Sequence, residues 1–368
     1  MGDKTVTVQE MLTRVARYSD ATFSEAAFLD SVLPEYQRKI INVIGAGVTE
    51  DPSMQPGITA VEGFNIGYIQ AAKGRGAALH CHETVEVFMP LTGRWEIHWG
   101  DHGEEAVELD RFDVISVPVG IMRGFRCLEG EESVLLAIAG GTDPGKVAWP
   151  QDVLAGAREA GYALDEGGNI VDLNAGESGA LARARHEGAS DGATGRPIAR
   201  AEVLARVARF DQLDFSEAAF IDSLLPEYKR KIINVIGPGV TEDADLKPTI
   251  TAVEGFNLTM IKAEKGYGAS LHGHTTVEVF VALTGRWAIY WGDEGENEIV
   301  LEPFDVISVP VGVDRGFRNE SDGEQLLMAV IGGDDAGKVS WPEPLVARVE
   351  ALGYARDVDG HIGPVAVA

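Results

Sequence analysis

Two histidines and one glutamate occur twice in this chain with the same spacing, and all three are residue types that bind divalent metals. The first set is His80, His82 and Glu86, and the second is His272, His274 and Glu278. Residues two apart on a strand face the same side, so the imidazoles of each set point one way. Glu86 either shares that face or follows on the next strand after a tight turn. Two imidazoles and a carboxylate can then converge on one cation.

The two sets belong to an internal duplication of the whole chain. His80 and His272 lie 192 positions apart, and the same offset separates Arg123 from Arg315. A period this long indicates tandem domains, because solenoid repeats run at about 20 to 50 residues. We predict a first domain over residues 1–173, a flexible Gly/Ala/Ser linker over 174–197 and a second domain over 198–368. Each domain is expected to begin with a helical segment.

The composition indicates a globular protein with many turns and limits its partners. Among 368 residues, 45% are hydrophobic, 44 are glycines, and the formal net charge is −27. That charge repels polyanions, so neither nucleic acid nor an anionic membrane surface is an expected partner. No apolar run approaches the roughly 18 to 20 residues that span a bilayer, and the first residues lack a secretory signal. We therefore expect a cytoplasmic protein.

The central part of each copy has the pattern of short β-strands. Trp95, Ile97 and Trp99 alternate with polar residues, which predicts a strand with one buried face. The stretch from Val85 to Met89 is instead apolar on both faces, so we expect it to be covered on both sides. Packing between barrels or between subunits would do this, and a homo-oligomer is predicted. Before each strand-rich region, apolar residues at helical spacing, such as Val8, Met11, Leu12 and Val15, predict an amphipathic helix.

The glycines that frame the metal-binding residues complete a known motif. Gly74 and Gly93 flank the first set, and Gly266 and Gly285 flank the second at the same distances. Both stretches fit G-x5-H-x-H-x3or4-E-x6-G, the first motif of the cupin superfamily. The chain thus resembles a bicupin. This resemblance implies a mainly β protein of two tandem double-stranded β-helix (jelly-roll) barrels with short flanking helices.

The second cupin motif, G-x5-P-x-G-x2-H-x3-N, is matched with departures. Its leading glycine is replaced by Phe112 or Phe304, and its histidine by Arg123 or Arg315. Cupins usually hold a metal through three histidines and one glutamate, so the fourth ligand is missing in both copies. A guanidinium has no acceptor and stays protonated, so it is not expected to bind a cation. Instead, Arg123 and Arg315 are predicted to anchor a substrate carboxylate.

The remaining ligands in each copy resemble the facial triad of non-haem Fe(II) oxygenases. The favoured hypothesis is an Fe(II) dioxygenase that acts on a small organic acid, aromatic acids included, with dioxygen as co-substrate. An alternative is a decarboxylase, lyase or isomerase with Mn, Zn, Ni or Co, and Cu is a further candidate metal. Bicupin oxalate decarboxylases resemble the chain in domain number but retain the fourth histidine. In a third reading the protein binds small molecules without catalysis, and Arg123 pairs with Glu86 in an empty barrel.

Overall fold

The chain forms two β-barrels in a computed structural model that describes residues 5–175 and 192–364. The first barrel lies within Thr22–Asp211, and the second combines Met1–Ala21 with Gln212–Ala368. Nearly all regular structure is antiparallel β-sheet, which confirms the predicted mainly β class and the two jelly-roll barrels. No helix in the described ranges is long and apolar enough to cross a membrane.

The first barrel contains a six-stranded and a four-stranded antiparallel sheet. In spatial order, the larger sheet consists of β13 (Val207–Ala208), β8 (Val114–Val117), β5 (Glu86–Pro90), β10 (Ser133–Gly140), β3 (Phe64–Ala71) and β2 (Lys39–Ile44). The smaller sheet consists of β4 (Gly76–His80), β9 (Arg123–Cys127), β6 (Trp95–Trp99) and β7 (Glu105–Leu109). Outside these sheets lie helix α2 (Gln151–Glu159) and the hairpin of β11 (Tyr162–Leu164) and β12 (Ile170–Asp172).

The second barrel repeats this order with a five-stranded smaller sheet. Its larger sheet consists of β1 (Val15–Ala16), β20 (Val306–Val309), β17 (Glu278–Ala282), β22 (Gln325–Gly332), β15 (Phe256–Ala263) and β14 (Lys231–Ile236). Its smaller sheet consists of β19 (Asn297–Leu301), β18 (Trp287–Trp291), β21 (Arg315–Asn319), β16 (Gly268–His274) and β23 (Val339–Ser340). Helix α4 (Glu343–Ala351) and the hairpin of β24 (Tyr354–Arg356) and β25 (Ile362–Pro364) follow.

Short helices precede each barrel. The α-helices are α1 (Val8–Leu12) and α3 (Arg200–Leu204), and the 3-10 turns are Tyr18–Asp20, Leu29–Val32, Pro34–Tyr36, Phe210–Gln212, Ile221–Leu224 and Pro226–Tyr228. Helix α1 begins with a capping box, in which the side chain of Thr7 accepts from the amide of Glu10 and the Glu10 carboxylate accepts from the amide of Thr7. The helix is shorter than its apolar spacing predicts. Only Met11 is buried, while Val8 is 41% exposed and Val15 already belongs to β1.

The strand predictions hold where the pattern was clearest. Trp95, Ile97 and Trp99 on β6 are buried, whereas the intervening Glu96 and His98 are only half-buried. Strand β5, predicted to be covered on both faces, is buried at every position. Strand β6 therefore packs one face against the core and leaves the other partly exposed, whereas both faces of β5 are covered. Assembly into a homo-oligomer stays a prediction.

The segment that precedes each barrel along the chain packs as part of the other barrel. Strand β1 pairs with β20 through Val15 and Ile307, and Met11 is fully buried in the second core. In the same way, β13 pairs with β8 through Val207 and Ile115. The compact units therefore differ from the predicted bounds, which grouped residues 1–21 with the first domain and residues 198–211 with the second. Most of the predicted linker, residues 176–191, lies outside the described residues.

The replaced glycine of the second cupin motif has a clear backbone role. Phe112 and Phe304 are the two non-glycine residues of the described chain with positive φ, at 69° and 71°. Glycine adopts this conformation without the steric cost that a side chain incurs, which explains its place in the motif. Here the rings make edge contacts instead, Phe112 with Phe210 and Phe304 with Tyr18, each at 5.3 Å between centroids. Aromatic packing therefore offsets some of the backbone strain.

Candidate metal centre

Each ligand set lies where the two sheets of a barrel meet. In the first barrel, β4 ends at His80, His82 follows it, and Glu86 begins β5 of the opposite sheet. Of the two placements predicted for the glutamate, the one on the following strand is therefore correct. The pairing of β4 with β9 is irregular between Ala77 and His80, and the second barrel has the same irregularity.

The ligand atoms of each set lie close enough together for a single cation. Oε2 of Glu86 is 3.4 Å from Nε2 of His82 and 4.0 Å from Nε2 of His80. The corresponding distances in the second barrel are the same, 3.4 and 4.0 Å. Ligands about 2.1 Å from a metal stand roughly 3 Å apart in adjacent positions and about 4 Å apart in opposite ones. Both triads therefore fit a divalent metal ion.

The protein orients the first histidine of each set for metal binding. Nδ1 of His80 lies 2.7 Å from the carbonyl oxygen of Ala78, and Nδ1 of His272 is 2.7 Å from that of Ser270. A ring whose Nδ1–H donates to a carbonyl leaves the Nε2 lone pair free to bind a metal. In the second barrel, Nε2 of His274 and Oε2 of Glu278 are buried without a hydrogen-bond partner among the described residues. A cation would satisfy both atoms.

The electrostatic surroundings keep the imidazoles neutral. Burial, together with the nearby guanidinium of Arg123, holds the pKa of His80 and of His82 below the usual value. Burial also disfavours the Glu86 carboxylate, but His82 and Arg123 outweigh it and the pKa of Glu86 falls well below its ordinary value. Neutral imidazoles and an ionised carboxylate are the protonation states that bind metals.

The second carboxyl differs in its contact with arginine. Arg315 Nε lies 3.3 Å from Oε2 of Glu278 without an aligned hydrogen bond, whereas Arg123 Nε donates to Glu86 at 3.0 Å. At Glu278 burial dominates and the charges of Arg315 and Arg230 offset only part of it, so the pKa of Glu278 rises to about 7. The two carboxyls differ because His82 also lowers the pKa of Glu86.

Both arginines are fully buried beside the glutamates. Arg123 also donates from Nη1 to the carbonyl oxygen of Ile121 at 3.0 Å, and Arg315 Nη1 lies 3.4 Å from that of His272. Nη2 of each arginine has no hydrogen-bond partner within the described part of the chain. The structure therefore brings each arginine to its triad as an ion-pair partner of the glutamate. Anchoring of a substrate by Arg123 and Arg315 stays a prediction.

Comparisons with known proteins agree with this architecture. Residues 259–332 match the family model of the cupin domain. Oxalate decarboxylase from Lactobacillus farciminis, in a formate complex, shares 13% identity at a TM-score of 0.55 and covers 94% of this chain and 92% of its own. Oxalate decarboxylase from Bacillus subtilis shares 15% identity at a TM-score of 0.54 and covers 96% and 85%. No curated protein is significantly similar in sequence. The chain has the bicupin fold.

A cavity open to solvent leads to each triad. The space not occupied by atoms, with the open mouth included, is about 600 Å³ in the first and about 400 Å³ in the second. The first is bordered by His80, His82 and Glu86, by aromatic and aliphatic side chains, and by Arg38. Arg123 does not border it. A small molecule entering the cavity would therefore meet the metal ligands directly, with Arg123 behind Glu86.

A buried network that the sequence analysis missed supports the first histidine. Asp30 is fully buried, and its carboxylate accepts from Arg38 at 3.0 Å and from the amide of Ala78 at 2.9 Å. Ala78 is the residue whose carbonyl accepts from His80. Asp222, Arg230 and Ser270 make the same contacts in the second barrel. Asp30 and Arg38 recur at the 192-residue offset, which could have identified them. Many residues around them are also identical in the two copies, so this repetition does not distinguish them from their neighbours.

A second buried carboxyl fixes the tryptophan beside the site. Glu50 accepts hydrogen bonds from Trp149 Nε1 at 2.7 Å and from the amide of Leu29 at 2.6 Å. The Trp149 ring lies 5.4 Å from the ring of His80. Burial raises the pKa of Glu50 to about 7. The sequence analysis singled out neither Trp149 nor Glu50.

Proposed function

We propose that this bicupin is a metal-dependent enzyme acting on a small carboxylate, with decarboxylation as the first candidate reaction. The observation that carries the proposal is the convergence of two Nε2 atoms and one carboxylate oxygen at the end of a cavity in each barrel. The neighbours in fold are oxalate decarboxylases, one of them described by its Mn(II) centres at 14% identity and a TM-score of 0.53. They support a decarboxylase better than the predicted iron dioxygenase.

Charge balance favours an anionic substrate. Arg123 and Glu86 cancel each other, so the first site with a divalent cation would carry two net positive charges in a buried setting. Buried charge is costly unless it is compensated. A dicarboxylate such as oxalate compensates it fully. The cation would act as a Lewis acid that polarises the bound carboxylate.

The protein side chains have distinct roles in this proposal. His80, His82 and Glu86 hold the cation, and Arg123 keeps Glu86 ionised and oriented. The predicted anchoring role of Arg123 would require a substrate oxygen to reach past Glu86 to its buried Nη2, which has no hydrogen-bond partner among the described residues. The second barrel repeats these roles with His272, His274, Glu278 and Arg315.

The second candidate is the Fe(II) dioxygenase of the sequence analysis. The observation that favours it is the ligand set itself, because two histidines and one carboxylate leave coordination positions for substrate and dioxygen. The third reading, a non-catalytic binding protein, draws on the Arg–Glu pair that each barrel contains. Both alternatives make different predictions for the same assay.

The test is to incubate protein loaded with Mn(II) or Fe(II) with ¹³C-labelled oxalate while recording products and dioxygen consumption. Decarboxylation of the oxalate dianion takes up one proton from solvent and gives formate and carbon dioxide, with no net consumption of dioxygen. We expect formate from the Mn(II) protein and none from the variant His80→Ala/His274→Ala. Stoichiometric dioxygen uptake with an organic acid would support the dioxygenase instead. If neither metal-loaded form turned over or bound carboxylates, the proposed function would be wrong.

A further inference from the structure

The two cavities end at the same ligand set but differ in the space beside it. The space not occupied by atoms, with the mouth open to solvent included, is about 600 Å³ at the first triad and about 400 Å³ at the second. We propose that the two sites select carboxylates by size: the first accepts a bulky, ring-bearing carboxylate, and the second accepts only small ones such as oxalate. This proposal rests on the proposed function, because it concerns the substrates of the same metal sites.

Two substitutions between the copies add bulk to the wall of the second cavity. Gly67 and Ala139 border the first cavity, and Thr259 and Ile331 take their places in the second. The other differing wall residue, Ile66, becomes a leucine of equal size at position 258. Gly67 and Ala139 are half-buried and remain accessible from the cavity, whereas Thr259 and Ile331 are 7% and 2% exposed. Each replacement adds three non-hydrogen atoms, so the wall of the second cavity carries six more such atoms than the first at these two positions. The larger side chains therefore fill space that is open in the first barrel.

The larger of the two side chains lies directly beside the metal ligands. Ala139 pairs across the sheet with Glu86, and Ile331 pairs with Glu278. Directly opposite residues on antiparallel strands have their Cβ atoms about 5 Å apart. Ile331 thus restricts the volume next to the second triad, where a bound carboxylate would lie, and Ala139 leaves that volume open in the first.

The lining of the first cavity suits a substrate with an aromatic group. Phe28, Phe125 and Trp149 border it together with the ligands. An aromatic ring gains edge or offset contacts with such side chains. The corresponding aromatic residues are present in the second cavity, so the size of the wall, rather than its chemistry, separates the two sites.

The test measures carboxylate binding to one barrel at a time. His274→Ala leaves only the first triad intact and His80→Ala only the second, and each protein is loaded with Mn(II) and titrated calorimetrically with oxalate and with phenylmalonate. The quantity compared is the ratio of the two dissociation constants, phenylmalonate over oxalate. We expect this ratio to be at least about tenfold higher in the second barrel, the size of effect that one misfitting hydrocarbon group produces.

Reciprocal exchanges then assign the selectivity to the wall. In the first barrel, Ala139→Ile should raise the ratio at least about tenfold, and in the second, Ile331→Ala should lower it by a similar factor. We avoid Gly67→Thr because a Cβ at that position would lie 3.1 Å from the carbonyl oxygen of Ile41. Ile66→Leu is the matched control, since it copies the other barrel without changing volume.

The outcomes separate this proposal from the proposed function. Equal ratios in the two barrels, or ratios unmoved by both exchanges, would overturn size selection and leave carboxylate binding in place. If neither Mn(II)-loaded barrel bound oxalate, the proposed function would fall and size selection with it. Should Ala139→Ile not load metal, Ile331→Ala still decides, because it removes volume instead of adding it.

Discussion

Replacing Arg123 by leucine tests whether the arginine or a metal balances the charge of Glu86. Arg123 is fully buried, and its Nε donates to Glu86 at 3.0 Å. Removing one partner of a buried ion pair costs about 3 to 5 kcal/mol, because the other charge is left unpaired. We expect a loss of this size in metal-free protein. With Mn(II) bound, the carboxylate regains a positive neighbour, so the loss should be clearly smaller.

Both losses of stability are measured by urea unfolding of the first barrel. One series contains excess Mn(II), and the other contains a chelator that keeps the protein free of metal. Arg126→Leu is the matched control on the same strand, since Arg126 is 52% exposed and pairs with Glu96 at 2.6 Å. That surface pair should contribute at most about 1 kcal/mol, with no dependence on metal. An equal loss for Arg123→Leu with and without metal would refute the reasoning. If the variant keeps its metal but loses activity, the anchoring role of Arg123 gains support.

Two further predictions concern buried groups outside the triads. The pKa of Glu50 is about 7 in the folded protein, above its ordinary value, so the free energy of unfolding should fall by roughly 3 kcal/mol as the pH rises from about 4.5 to 7. In urea unfolding, Glu50→Gln should reduce this dependence on pH. An unchanged dependence would contradict the assignment. Met11 is fully buried in the second barrel, so Met11→Ala should destabilise that barrel by about 2 to 5 kcal/mol. Leu12→Ala, at a 44% exposed neighbour, should cost far less, and equal effects of the two variants would argue against the packing of helix α1 in the second barrel.

The duplication and the convergence of each triad could be predicted because spacing alone encodes them. His80, His82 and Glu86 sit at fixed offsets between glycines, and strand geometry puts both imidazoles on one side. Alternation also identified the buried face of the strand that carries Trp95. These features depend on local periodicity, which a single sequence contains.

Long-range partners could not be predicted in the same way. The residues around Met11 do not indicate that it packs in the second barrel, because the apolar spacing of the helix would be the same against either barrel. No motif or periodicity marks Asp30 and Glu50, yet they are buried and support His80 and Trp149. Whether Arg123 meets the carboxylate or the cavity depends on the three-dimensional path of its strand, and the structure places it against Glu86.

The metal content of purified protein tests the central claim most directly. Protein purified without dioxygen, together with His80→Ala and His274→Ala, is analysed for Mn, Fe, Zn, Ni, Co and Cu. We predict about two divalent ions per chain in the wild type and about one in each variant, since each substitution removes one ligand from one triad. Substoichiometric metal that does not respond to either substitution would contradict the account, and the barrels would then have to be regarded as binding sites without a metal.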